Sequence, residues 1–275
     1  MFYMKMKRIF LLLFILFACI PAISAESPVE YKTASGFVRV TTNMLGYNLI
    51  TKNIAQSVIK KSLNKSLKGN YKVKIDSFSG VDLKKGKFRG LTIEGTDLCL
   101  DDEVYFSKLS LKTTSKFNYI DYKKKPVKVM TDIPMDYVIE ISEDDLNKTV
   151  SGKNDLDSLS ALVPLVKFEK VKFRIYNNKL HINTGVRFPF CKPVKCSISS
   201  GLSVQDGKIV FSDIDTGSMK NEIAEKLINI MNNYNLLENI NIHLFDDNDT
   251  KMAVKNVKII DKKIYIDGNV IIKKA

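Results

Sequence analysis

The 275-residue chain has no tryptophan, two histidines and four cysteines. So few imidazoles and thiols leave little room for a His/Cys zinc site or an imidazole-based triad, which removes much of metalloenzyme and hydrolase chemistry. His181 and His243 each sit between two aliphatic residues, on the polar side of an alternating run, with no Ser, Cys or acidic partner at a recognisable spacing. A Gly-x-Ser-x-Gly elbow, a phosphate-binding glycine loop and a His-Glu-x-x-His pair are also missing. The acidic stretches Asp101–Glu103 and Asp246–Asp249 lack the glycine and closing glutamate of a calcium loop, and read as solvated turn tips. No catalytic residue, metal or cofactor is expected. Nor does a Pro/Gly/Ser-rich linker divide the chain, so one domain is expected over residues 43–275.

What is present begins with an export signal. Lys5, Lys7 and Arg8 precede the apolar run Ile9–Ala18, and a small-residue stretch ends at Ala25. That run is shorter than the roughly 20 residues a membrane span needs, and the anatomy is that of a secretory signal over residues 1–25. Cleavage after Ala25 would give a soluble chain starting at Glu26. Alternatively, Leu16-Phe17-Ala18-Cys19 is a lipobox-like sequence that would leave a lipidated Cys19; Phe17 is bulky for it, which favours the conventional site. The expected location is the periplasm or cell envelope.

Charge and cysteines follow from that location. The net charge is +13, and loss of the three basic residues in the leader brings it to +10. Such a surplus favours anionic partners. Export takes nucleic acid off the list and leaves an anionic membrane surface as the better candidate. An oxidising compartment also permits disulfides, and Cys191 and Cys196, which flank Pro193, are expected to pair. Cys99 reads as a small apolar residue in a strand.

Residues 26–42 are polar and weakly patterned. A long helix is expected from about Asn43 to Lys68, with Leu45, Leu49, Ile50, Ile54, Val58 and Leu67 as one apolar stripe. From Tyr71 the period becomes two, and alternating runs continue through Lys112, the habit of antiparallel meanders with one wet face. Ser142 followed by Asp145 approaches a capping box, and a second short helix is expected from Asp157. Strands then resume, with hairpin turns at Asn177-Asn178 and Asp206-Gly207. A second long helix is expected over Met219–Leu237, and three closing strands follow, turned near Asp246–Asp249 and at Asp261–Lys263. The fold class is α+β, with long amphipathic helices packed on antiparallel sheets, and the element order suggests two similar halves.

Signal, long helix, then Ser79-Gly80-Val81 through Gly86 and Gly90 into Leu98–Leu111, with Ile141–Leu146 and Gly207–Phe211 further on, resembles the LmeA-like family of exported bacterial phospholipid-binding domains. The resemblance implies a tubular lipid-binding architecture, a highly curved sheet on a long helix with an apolar groove, and lipid binding or transport rather than catalysis. The stripes themselves nominate Ile50, Ile54 and Val58 on the first helix and Ile223, Leu227 and Ile230 on the second as lipid contacts. Val171, Phe173, Ile175, Phe188 and Phe190 are the strand candidates. Tyr119, Tyr122 and Lys123, Lys124 and Lys125 combine headgroup-level tyrosine with positive charge, a membrane-approach surface. The competing reading is a non-catalytic envelope module with a filled core that docks on another protein.

Overall fold

The computed structural model of the chain describes residues 33–44, 46–100, 102, 104–121, 128–151, 167–187, 194–217 and 250–274. Among these residues strand outweighs helix, 60% against 22%. The elements are α1 (Gly36–Met44), α2 (Tyr47–Ser66), β1 (Leu67–Asp76), α3 (Gly80–Lys84), β2 (Lys87–Phe88), β3 (Gly90–Leu100), β4 (Val104–Thr113), β5 (Asn118–Asp121) and β6 (Lys128–Val129). After them come β7 (Ile133–Ser142), α4 (Glu143–Thr149), β8 (Lys167–Tyr176), β9 (Lys179–Arg187), β10 (Val194–Gln205), β11 (Lys208–Asp215), β12 (Thr250–Ile260) and β13 (Lys263–Ile272).

Three antiparallel sheets result. Six strands lie in the order β1-β3-β4-β7-β13-β12, four in the order β11-β10-β9-β8, and three short ones in the order β2-β5-β6. The period-two pattern sets the faces of the first. Val73, Ile93, Leu111, Tyr137, Gly268 and Val254 form one continuous cross-strand row on the inner side. The neighbouring row Lys72, Glu94, Ser110, Val138, Asp267 and Asn256 faces water. Ala55, Ile59 and Leu63 of α2 are buried in the same core cluster as these inner residues. At roughly 1.5–3 kcal/mol for each large aliphatic side chain, that contact is the main attachment of α2.

Two expectations need correction. The closing strands do not begin a second half: β12 and β13 return to the first sheet, where β13 lies beside β7. The four-stranded sheet is thus an insertion between β7 and β12. Second, α2 is not a long amphipathic helix with a single apolar stripe. Its buried line runs Ala55, Ile59, Leu63 at a spacing of four, whereas Leu49, Ile50 and Ile54 are exposed. Apolar residues on two sides cancel the amphipathic pattern. The segment read as patternless contains α1, and Gly46, at φ 68° in the left-handed region, turns the chain between the two helices. The helix expected from Asp157, the one over Met219–Leu237 and the strand near Ile240 lie outside the described residues.

The hairpins form as their turn residues require. Asn177-Asn178, Asp206-Gly207 and Asp261-Lys262 all have positive φ and join strands through two-residue loops, the arrangement that matches strand twist. At the β12 bulge between Val254 and Asn256, β12 crosses close over β13. A Cβ on Gly268 would strike the carbonyl oxygen of Ala253 and the Tyr137 ring, so glycine is required there.

The two large sheets are joined at α4. Ser142 caps this helix by accepting from the Asp145 amide, and Asp145 Oδ2 accepts from the Ser142 amide at 2.8 Å, closing the expected capping box. Ser107 of β4 donates to the same carboxylate. From the other side of α4, Asn147 takes the edge of β8: its Oδ1 accepts from Phe173 N at 2.9 Å and its Nδ2 donates to Phe173 O at 3.0 Å. Glu143 Oε2 accepts from Ile175 N at 2.8 Å. A second joint lies at the far end, where Val254 N donates to Gly207 O at 3.0 Å.

Asn147→Ala should cost about 1–3 kcal/mol, because it strips both partners from a partly buried peptide unit. Native-state hydrogen exchange should show the Phe173 amide losing protection before those of β3 and β4; equal loss everywhere would mean that Asn147 does not hold this edge. A second expectation concerns pH. Burial pushes the phenols of Tyr71 and Tyr137 above the usual tyrosine range, with Asp267 adding to the effect at Tyr137. The fold keeps both protonated where the unfolded chain would release them, so stability is complete below about pH 10 and falls above it. Urea midpoints measured across that range should decline for the native chain and decline less for Tyr137→Phe.

Candidate functional site

The inner face of the four-stranded sheet is mainly apolar, with Thr184 and Ser200 as buried polar positions on it. Its cross-strand pairs are Phe173 with Ile182, Ile182 with Ile198, Leu202 with Phe211 and Val204 with Ile209. Ile175, Leu180 and Ile209 are fully buried and anchor the sheet to the common core. Phe173, Ile182, Leu202, Val204 and Phe211 pack against that core but keep part of their surface accessible. These partly accessible residues fall into two groups, Phe173 with Ile182 and Leu202 with Val204 and Phe211, and buried Ile198, Leu180 and Ser200 lie between them. The Ser200 hydroxyl is satisfied there, since it donates to Ser212 O at 2.8 Å.

The six-stranded sheet has the same two kinds of position: Ile93, Leu98 and Val270 are each 1% exposed, while Leu91, Leu109, Ile139 and Val257 pack on the same core and stay partly accessible.

The nominated residues separate accordingly. Phe173 and Val171 are partly accessible strand positions on the inserted sheet, and Phe173 is held in place through its own peptide by Asn147. Val58 packs on the core from α2. Ile175, at 2% exposure, is core and touches no groove. Ile50 and Ile54 are 58% and 51% exposed on the outward side of α2, so they cannot line a groove between helix and sheet. The spacing that nominated them belongs to the face opposite Ala55 and Ile59. Phe188, Phe190, Ile223, Leu227, Ile230, Tyr122, Lys123, Lys124, Lys125 and Cys191 lie outside the described residues. Cys196, the expected partner of Cys191, is a free thiol buried opposite Thr184, and burial raises its pKa.

Ile182, Leu202, Val204 and Phe211 were missed as site residues, although their alternation was plain in the sequence. Periodicity says which side of a strand is apolar; it does not say whether another layer covers it. Of the polar groups, His181 stacks on Tyr176 with ring centroids 3.5 Å apart, beside the Asn177-Asn178 turn. There it clasps a hairpin tip. Cys99 stands opposite Tyr105 across β3 and β4, and a hydrogen bond from this pair raises the Tyr105 phenol pKa. Lys68 holds Asp102 through both carboxylate oxygens, at 2.6 and 2.8 Å, and the same contact raises the lysine pKa. Among the described residues no group of three or more His, Cys, Asp or Glu side chains is placed to hold a metal ion. None of these groups combines a nucleophile with a base.

Compared with known proteins, the chain matches no protein-family model, no curated protein and no solved structure.

Proposed function

We propose that the chain is a non-catalytic, exported lipid-binding protein, which takes the acyl chains of a phospholipid onto the inner face of the four-stranded sheet. The observation that carries this reading is the set Phe173, Ile182, Leu202, Val204 and Phe211, apolar side chains of one sheet face that pack on the core yet keep part of their surface accessible. Accessible apolar groups of this kind on soluble proteins mark places where something else binds. An acyl chain laid on them would gain about 0.8 kcal/mol for each methylene removed from water. The sequence resemblance to the LmeA-like family and the leader-like N-terminus support the same reading. So does the charge of +10 that remains once the three basic residues of the leader are discounted from +13, which suits an anionic headgroup.

The second reading, an envelope module that docks on another protein, draws support from the fully buried side chains of the six-stranded half. The two differ in what the purified chain contains. Organic extraction of the native protein followed by mass spectrometry should recover phospholipid, and Leu202→Asp, which places a charge on this face, should lower the amount recovered. A chain that emerges empty and takes up no lipid from anionic vesicles would favour the docking module.

A further inference from the structure

α1 is mounted with its polar side against the protein. Phe37, Val40 and Met44 recur at spacings of three and four along one stripe, and that stripe faces solvent, with Phe37 80% and Met44 84% exposed. No residue of α1 is buried. Its inward side carries Arg39, whose Nε lies 3.7 Å from Asp82 Oδ2 and whose guanidinium sits over the Phe78 ring at 5.4 Å. Asp82 is almost fully buried and accepts further hydrogen bonds from Ala34 N at 2.7 Å and Ser79 Oγ at 2.6 Å. Rolling α1 to hide its apolar stripe would strand the Asp82 carboxylate in the interior without its cation, a costly exchange. The contact of part-exposed Arg39 with buried Asp82 therefore favours the orientation that leaves the greasy side of the helix outward.

α2 carries exposed apolar side chains as well. Leu49, Ile50 and Ile54 are exposed on its outer side, and Lys60 and Lys61 are exposed further along the helix. Lys61 follows Ile50 by about three turns and so shares its side. From Thr33 to Ile75 the sequence holds eight Lys and Arg and no Asp or Glu, with Arg39 and Lys68 paired to Asp82 and Asp102 from elsewhere in the chain. Among the described residues no helix is long and apolar enough to cross a membrane. Exposed apolar side chains followed along the same helix by exposed Lys60 and Lys61, on helices that cannot span, are the attributes of an interfacial helix. A second copy of the chain is a poor occupant, because a two-fold contact would set cations against cations.

We propose that the outer face of α1 and α2 docks on an anionic phospholipid bilayer, with Phe37, Val40, Met44, Leu49, Ile50 and Ile54 entering the headgroup boundary and Lys60 and Lys61 facing lipid phosphate. This surface lies apart from the acyl-binding face of the inserted sheet and stands on separate observations.

The purified full chain would be sedimented with vesicles of phosphatidylcholine alone and with vesicles that also contain phosphatidylglycerol. Binding is expected to the second and to weaken as salt is raised. Both Phe37→Glu/Met44→Glu and Lys60→Glu/Lys61→Glu should lower partitioning by about tenfold in the otherwise unchanged chain, with unfolding temperatures unaltered. Equal binding by native and substituted chains, or no preference for phosphatidylglycerol, would overturn the proposal. A lowered unfolding temperature for Phe37→Glu/Met44→Glu would also overturn it, since the stripe would then be covered by the protein itself. So would a concentration-dependent dimer in light scattering that these substitutions abolish. A chain that yields extractable lipid yet ignores vesicles sinks this surface and leaves the lipid-binding reading standing; an empty chain that still docks does the reverse.

Discussion

Every backbone amide that leaves water needs a partner, and the fold is organised around where the partners at sheet edges come from. At β8 they come from side chains. Asn147 presents an amide that copies a peptide unit, giving and receiving one hydrogen bond each with Phe173, and Glu143 accepts the next available amide at Ile175. α4 can do this only because its own start is fixed by Ser142 at the end of β7, which pairs with Asp145 in the helix's first turn, with Ser107 of β4 on the same carboxylate. One short helix thus ties the edge of the inserted sheet to the middle of the first. It closes an edge that would otherwise invite another strand, and it sets how the two apolar faces meet.

The buried face of nearly every strand could be read from alternation, and the three two-residue turns from Asn-Asn, Asp-Gly and Asp-Lys. The capping box was visible as Ser142 and Asp145. Strand β7 was equally periodic, with Ile133, Met135, Tyr137, Ile139 and Ile141, but Pro134 breaks the run near its start. The structure tolerates that proline at the exposed end of the pairing with β4: Thr114 still donates its amide to Pro134 O at 2.9 Å, and the missing proline N–H faces exposed Thr114. What local pattern could not carry was topology. Nothing near Ile264 says that β13 will lie beside β7 rather than within a sheet of its own, because pairing over that separation is decided by the whole core.

The helices misled for a different reason. A stripe is a statement about one side of a helix, and α2 has two. Ala55 and Ile59 face the sheet, yet Ala55 is small and drew less notice than the larger Ile50 and Ile54 on the other side. α1 inverts the usual inference altogether. Its apolar side chains are the exposed ones, and the reason lies outside the helix, in the burial of Asp82. Sequence patterning assumes that water is the only polar partner available, and a buried carboxylate breaks that assumption.

The insertion of one sheet into another has a consequence for how the chain acquires its structure. Met135 faces Val270 and Ile139 faces Ile266, so β7 takes one of its neighbours from a strand more than a hundred positions further along the chain. Closing so long a loop is entropically slow and must precede the reward of pairing. The hairpins of the inserted sheet can form locally before that, whereas the six-stranded sheet is complete only once β12 and β13 have docked beside β7.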